Sequence, residues 1–372
     1  MDTPERIPWV RPRFEPDDGL MAELRECLES GQVTNDGPRV ARLEEALARY
    51  LGAPDAVTVS SGAMALLLSA SALGGGGRAI LPAFTYIATL AALVHAGFEP
   101  VFCDVDPARW TLDPGHLEEL LARVAGVTLV VPVNAYGVPP DLDALHALAR
   151  GHGARVLYDD AHGLGSELRG RRHHEAGAVR CLSLHATKVL PAVEGGLVVA
   201  AAPDLLARLR RLRSHGLDVP LERSVPGFNA RLDELRATLA MHGLERFDAT
   251  LDRRRAYGAR LRAAIAATGG IFVNQLHPPD VRSNFANLPL HVPAPGPGGV
   301  DAVAARFLAA GIQTRRYFHP PLHHLEAFRG ASLPVTERLC RGMLCLPLHA
   351  RMEEPVLERL EAAVAAVAEA LP

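Results

Sequence analysis

The run Ser183-Leu184-His185-Ala186-Thr187-Lys188 places a lysine just past an apolar stretch. Glu194-Gly195-Gly196 follows and opens another apolar run, Leu197-Val198-Val199. One lysine on a turn between two buried strands is hard to explain by packing, because lysine is almost never fully buried without a partner. An amine held there can form a Schiff base with a carbonyl compound.

A Schiff-base cofactor of the pyridoxal phosphate (PLP) kind makes three further demands: a phosphate cradle, a partner for its ring nitrogen and a surface for its flat ring. A phosphate wants backbone amides at a helix N-terminus. Val59-Ser60-Ser61-Gly62-Ala63-Met64 supplies a strand, a small-residue turn and a helix start, although an ordinary N-cap has the same look. A ring nitrogen wants a carboxylate. Tyr158-Asp159-Asp160-Ala161-His162 ends a strand on two acids, which would equally cap the segment that follows. The ring face wants an aromatic. Phe84-Thr85-Tyr86 follows another strand and offers two, of which one belongs to the core. Ser183 sits at the end of the strand before Lys188, where its hydroxyl could reach the phosphate.

These residues need a scaffold that brings strand ends together. From residue 56 the chain alternates short β-branched runs (56–60, 78–81, 100–105, 128–134, 155–159, 180–184 and 197–201) with helical stretches such as 63–73, 86–96, 114–124 and 141–151. Most of the strand runs are apolar on both faces, as in a largely parallel sheet covered by helices on each side. The predicted class is α/β, with ligands at the carboxyl ends of the strands. After Ser224-Val225-Pro226-Gly227 the pattern changes. A long helical stretch over 231–267 with breaks, strands at 271–276 and 312–316, and helices at 300–310 and 354–371 predict a smaller α+β unit. The expected division is 1–245 for a large domain with an N-terminal arm and 246–372 for a small one.

Composition narrows the function classes. With 372 residues and 48% hydrophobic content the chain can bury a sizeable core. A net charge of -3 gives no footprint for nucleic acid or an anionic membrane. Residues 1–15 are charged and proline-rich, unlike a signal peptide, and no apolar run approaches the ~20 residues of a membrane span. Cys27, Cys103, Cys181, Cys340 and Cys345 lack knuckle spacing and read as buried free thiols of a reducing cytoplasm. His319, His323 and His324 are separated by prolines that preclude helical presentation to a metal, so no metal site is expected.

Taken in order, the motifs resemble the DegT/DnrJ/EryC1/StrS family, the PLP-dependent sugar aminotransferases of the aspartate aminotransferase fold (fold type I). The resemblance rests on Thr34-Asn35-Asp36-Gly37-Pro38, Ser60-Ser61-Gly62, Pro82 to Tyr86, Asp159 to His162, Ser183 to Lys188 with Glu194-Gly195-Gly196, Arg213-Ser214-His215-Gly216, Phe228-Asn229-Ala230-Arg231 and Arg316 to His323. It implies that Lys188 is the Schiff-base lysine and proton shuttle. Asp159, three residues before His162, would be the ring-nitrogen partner, with His162 beside the ring and its 3-hydroxyl. Tyr86 would stack on the ring, and Gly62, Ala63 and Ser183 would hold the phosphate. Asn229 would reach the phosphate in a neighbouring subunit's site, which implies a homodimer. Where the family commonly has threonine, this chain has Ala63, so one hydroxyl contact is missing.

The resemblance further implies a two-half reaction. L-glutamate gives its amino group to the cofactor, leaving pyridoxamine 5'-phosphate, and a nucleotide-linked keto-sugar takes it up. Thr34, Asn35, Tyr317 and His319 resemble residues of members that aminate C4 of dTDP-4-keto-6-deoxyglucose, in deoxyaminosugar biosynthesis for an antibiotic or a surface glycan. Other members act on 3-keto-sugars or cyclitol ketones. A sugar dehydratase of the same fold would carry histidine in place of Lys188, and a non-catalytic sensor would be free to lose Lys188 or Asp159.

Overall fold

The computed structural model describes residues 6–12, 14–172, 179–218, 220–350 and 352–371. Part of the charged stretch read as no signal peptide, residues 1–5 and 13, lies outside the described residues.

The strands of the first half are β1 (Ala56–Val59), β2 (Arg78–Pro82), β3 (Glu99–Cys103), β4 (Val127–Val130), β5 (Arg155–Asp159), β6 (Glu167–Leu168), β7 (Val179–Ser183) and β8 (Gly196–Val199). All except β6 join one seven-stranded sheet in the order β1-β8-β7-β5-β4-β2-β3. From β7 to β3 every pair is parallel, and β8 runs antiparallel to both of its neighbours, β1 and β7. The seven strand runs read from sequence are the strands of this sheet. The run 128–134 shortens because Pro132 has no N–H to give a ladder.

Apolar residues on both faces of these strands are each used. Along β5, Leu157 packs into one buried cluster with Val57, Leu81 and Val198. Its neighbours Val156 and Tyr158 pack on the opposite face with Ile80 and Val130. The alternation of a strand thus feeds two helix-covered cores.

Beyond residue 246 lie β9 (Val273–Asn274), β10 (Val281–Arg282), β11 (Leu288–His291) and β12 (Met343–Leu346). β12, β11 and β9 form an antiparallel sheet, while β10 pairs with β6. The helices Phe247–Ala266, Gly299–Ala309 and Glu354–Glu369 contribute Leu261, Val303 and Leu360 to a core around Leu290 and Leu344. Ile7, from the N-terminal segment, packs into the same core.

Several expectations need correction. The helical stretch expected over 231–267, breaks included, begins only at Glu234 and divides at Arg246 into two helices, Glu234–Glu245 and Phe247–Ala266. Asp233 caps the first by accepting the Arg236 N–H at 2.8 Å. The stretch 312–316 forms no strand; it makes single bridges, Ile312 to Ile7 and Arg315 to Cys345. β11 and β12 were not expected from sequence, and Pro289 inside β11 disguises it. The N-terminal helices Asp18–Ser30 and Pro38–Leu51 were likewise not expected.

Candidate active site

β1 is antiparallel to β8, which is antiparallel to β7. β1 therefore runs with β7, β5, β4 and β2, and the carboxyl ends of these strands share one edge. A cavity of about 310 Å³ opens there, and Gly62, Tyr86, Asp159, His162, Ser183 and Lys188 all line it. A smaller cavity of about 70 Å³ lies against Lys188 and Thr187 on a different set of walls, including Arg254 and His349. The larger one brings Lys188 together with the strand-end residues Asp159 and His162 and with the helix start at Gly62, so the site is placed there.

Lys188 is the only lysine in the chain; every other member of the 39 Lys and Arg is arginine. Arginine serves for ion pairs at the surface but stays protonated and cannot act as a Schiff-base amine. The hairpin that presents Lys188 is closed by Ser183 pairing with Gly196 across β7 and β8. It is tightened by hydrogen bonds from Leu184 N to Gly195 O and from Lys188 N to His185 O, each 2.8 Å. Desolvation in this setting lowers the Lys188 pKa to about 8, against the opposing pull of Asp159.

The two adjacent acids divide. Asp160 turns away from the cavity, paired with the buried Arg180 and accepting the Asn134 side-chain N–H at 2.9 Å. Asp159 faces the cavity. Its Oδ2 accepts the Thr89 hydroxyl at 2.6 Å and its Oδ1 the Ala161 N–H at 3.1 Å. The latter is the local cap that the sequence also allowed, so Asp159 caps a turn and faces the site at once. Burial raises its pKa, and the Thr89 and Ala161 hydrogen bonds oppose that rise.

Gly62 and Ala63 begin the helix Gly62–Ala72, whose first N–H groups have no intrahelical acceptor. Ser61 caps it, accepting Met64 N–H at 3.2 Å. A Cβ on Gly62 would lie 2.8 Å from the Ser183 Cβ, and a Cβ on Gly196 would lie 2.3 Å from the Ser61 carbonyl. The helix N-terminus thus presses on β7 and β8 through two glycines, leaving an amide-lined cradle beside the Ser183 hydroxyl.

His162 is buried, and its Nδ1 accepts the Tyr136 N–H at 3.2 Å, which puts the proton of the neutral ring on Nε2. Burial lowers its pKa well below the usual range, so the ring is neutral. Of the two aromatics after β2, Phe84 is 1% exposed and belongs to the core, while Tyr86 is 55% exposed and stands on the cavity wall. Tyr86 packs edge-on to Tyr317, with centroids 6.2 Å apart.

The remaining predicted residues are not brought together in one chain. Thr34, Asn35 and Asn229 are exposed and do not line this cavity. His319 is exposed in an adjoining recess that shares Tyr86 and Tyr317 with it. The 3-10 turn Leu322–His324 carries His323 and His324 to Glu337, their Nε2 atoms 3.3 and 3.9 Å from its Oε1. Among the described residues these three side chains are close enough together to hold a metal ion, contrary to the argument from the prolines. They lie outside the cavity and read as an ion-paired group.

Sequence reasoning missed Thr89, Asn134 and Phe318, which touch Asp159, touch Asp160 and line the cavity, respectively. Thr85 lies two residues before the helix Ile87–His95 that carries Thr89, so no helical spacing in the sequence marked the pair.

The family profile described as the DegT/DnrJ/EryC1/StrS aminotransferase family matches residues 16–365. The chain belongs to this family. A relative named dTDP-4-amino-4,6-dideoxy-D-glucose transaminase, from Shigella dysenteriae, is 28% identical over 354 residues, covering 94% of this chain and 95% of its own. The structure of DesI, solved in the presence of its TDP-sugar product, superposes with a TM-score of 0.89 at 33% identity, covering 99% of this chain and 94% of its own. DesV of S. venezuelae gives a TM-score of 0.89 at 30% identity, with 98% and 99% covered. The protein is thus a sugar aminotransferase of fold type I, and its cofactor is PLP. The residues present fit that group: a lone amine of lowered pKa, a buried carboxylate facing it and a glycine-lined helix start. Among the described residues no helix is long and apolar enough to cross a membrane.

Proposed function

We propose that this aminotransferase moves the amino group of L-glutamate to C4 of dTDP-4-keto-6-deoxyglucose. The observation that carries the site is that the only lysine of the chain shares one cavity with Asp159 and His162. The choice of sugar is supported by the names of the Shigella dysenteriae relative and of DesI with its TDP-sugar product.

When bound, PLP supplies the carbonyl that captures amines and a ring that spreads the electrons left on a substrate carbon. The chain's own residues do the rest. With a pKa of about 8, Lys188 is neutral in about a tenth of molecules at pH 7, far more than an exposed lysine, so its Nζ can attack a carbonyl. With the cofactor bound, the same Nζ would be the base placed to take and return the proton at the reacting carbon. Asp159 is the anion for the ring nitrogen, fixed before reaction rather than reorganised during it. The neutral His162, whose Nδ1 is taken by the Tyr136 N–H, would have its Nε2–H to offer the ring oxygen. Gly62, Ala63 and Ser183 hold the phosphate, and Tyr86 covers the ring face.

Asn229 is read as completing the site of a second copy, which fits its exposure away from its own cavity. Thr34, Asn35, Tyr317 and His319 are read as contacts to the sugar nucleotide. The large unit is taken as 1–245 and the small as 246–372. The helix Phe247–Ala266 joins them, placing Leu251 in one core and Leu261 in the other. Five buried free thiols suit a reducing cytoplasm.

The test is incubation of the PLP-loaded protein with glutamate and a panel of nucleotide-linked keto-sugars and cyclitol ketones. The expected result is 2-oxoglutarate together with an aminated dTDP-sugar. Turnover of a 3-keto-sugar or a cyclitol alone would move the assignment to that acceptor class.

A further inference from the structure

Thr85 and Thr89 have no task in the reaction as described, yet Thr89 is bonded to Asp159 and Thr85, on the cavity wall, is bonded to Thr89. Thr89 lies in the helix Ile87–His95 and is 1% exposed. Its Oγ1 donates to Asp159 Oδ2 at 2.6 Å, within the range of a hydroxyl bonded to a charged carboxylate. Thr85, also buried, has its Oγ1 3.0 Å from the Thr89 Oγ1. Because the Thr89 hydrogen is committed to Asp159, Thr89 accepts and Thr85 donates. The direction of the chain is therefore Thr85 to Thr89 to Asp159.

The carboxylate at the end of this chain is in a demanding place. It is buried, and it adjoins a second acid, Asp160. Arg180 is spent on Asp160. One hydrogen bond on each oxygen of Asp159, the Thr89 hydroxyl on Oδ2 and the Ala161 N–H on Oδ1, fixes its plane and, together with the charge of Lys188 across the cavity, favours its ionised form. Each oxygen keeps a further lone pair for a ligand in the cavity. Burial by itself favours the protonated acid, and the hydroxyl bond opposes it.

We propose that Thr89, backed by Thr85, is a positioning residue that keeps Asp159 charged and aimed into the cavity, and thereby sets the protonation of the cofactor's ring nitrogen. This rests on the reading of Asp159 as the ring-nitrogen partner. Thr89→Val removes the hydroxyl at nearly constant shape, and Thr89→Ser restores it. A less charged Asp159 holds the ring proton less firmly. Losing that positive charge relieves repulsion on the protonated Schiff-base nitrogen, whose pKa then rises.

The experiment is a pH titration of the visible absorbance band of the bound cofactor in Thr89→Val, Thr89→Ser, Thr85→Val and Asp159→Asn, with melting curves as a control on folding. The expected result for Thr89→Val is an upward shift of the band's pH midpoint, with kcat reduced about tenfold and little change in KM. Thr89→Ser should restore both. Thr85→Val should shift the midpoint the same way by less, and it keeps the proposal testable if Thr89→Val folds poorly. Asp159→Asn moving the midpoint while both threonine-to-valine variants leave it unchanged overturns the role of Thr89 alone. An unmoved midpoint in Asp159→Asn overturns the reading beneath it as well.

Discussion

Asp160 and Arg180 form an ion pair whose side chains are 1% and 2% exposed, one residue along from the carboxylate that faces the cavity. Two neighbouring acids therefore serve different ends. Asp160 joins the end of β5 to β7 and steadies Asn134, and Asp159 is left facing the cavity. Removing one partner of a buried pair leaves an uncompensated charge and costs about 3–5 kcal/mol. Asp160→Asn should accordingly lower the melting temperature of the apoprotein markedly. Asp159→Asn should leave it nearly unchanged while lowering kcat by about 100-fold or more. Denaturation and steady-state kinetics on the two variants check the division; equal losses of stability would refute it.

Lys188 makes a pH-dependent contribution of defined sign. Its pKa is about 8 in the folded chain against 10.5 for an exposed lysine. Between these values the unfolded chain binds more protons, so stability rises with pH across that window. Below pH 8 the half-buried charge is a full penalty. Apo Lys188→Met should be more stable than the parent there, by up to about 3 kcal/mol. The gap should close as the pH approaches 10.5. Urea titrations of both proteins at several pH values measure it.

Gly62 meets Ser183 too closely for any side chain. An added Cβ would stand 2.8 Å from the Ser183 Cβ. Gly62→Ala should force the helix N-terminus away from β7, with a cost of about 1–3 kcal/mol. It should also weaken PLP binding by about tenfold, since the displaced amides form the expected cradle. Calorimetric titration of apoprotein with PLP gives the affinity, and a melting curve gives the stability.

The dimer reading has a direct test by mixing inactive subunits. If Asn229 completes the partner's site, a hybrid of Lys188→Ala and Asn229→Ala chains has one intact site and one doubly impaired site. Mixing under dissociating conditions should then restore activity. If Asn229 acts within its own chain, every site in the hybrid carries one lesion and the mixture stays inactive.

Much of this architecture is legible in the sequence because the parallel strands are apolar on both faces and end in residues with few structural uses. Asp159, His162, Ser183 and Lys188 could be found that way. The choice between Asp159 and Asp160 could not be made from the residues, since it depends on Arg180 reaching back from β7. Nor could the choice between Phe84 and Tyr86, which depends on which side of β2 the chain turns. β11 was hidden by Pro289, and Thr89 by a side-chain bond between residues 70 positions apart. One signal was present and unread: Lys188 is the only lysine among 372 residues.

That fact makes the central claim testable in a single measurement. The protein loaded with PLP is reduced with borohydride and digested, and the peptides are mapped by mass. The account predicts one covalent cofactor per chain, on the peptide carrying Lys188, and none in Lys188→Ala. A chain that takes up no covalent cofactor, or takes it up only at the N-terminal amine, would contradict it.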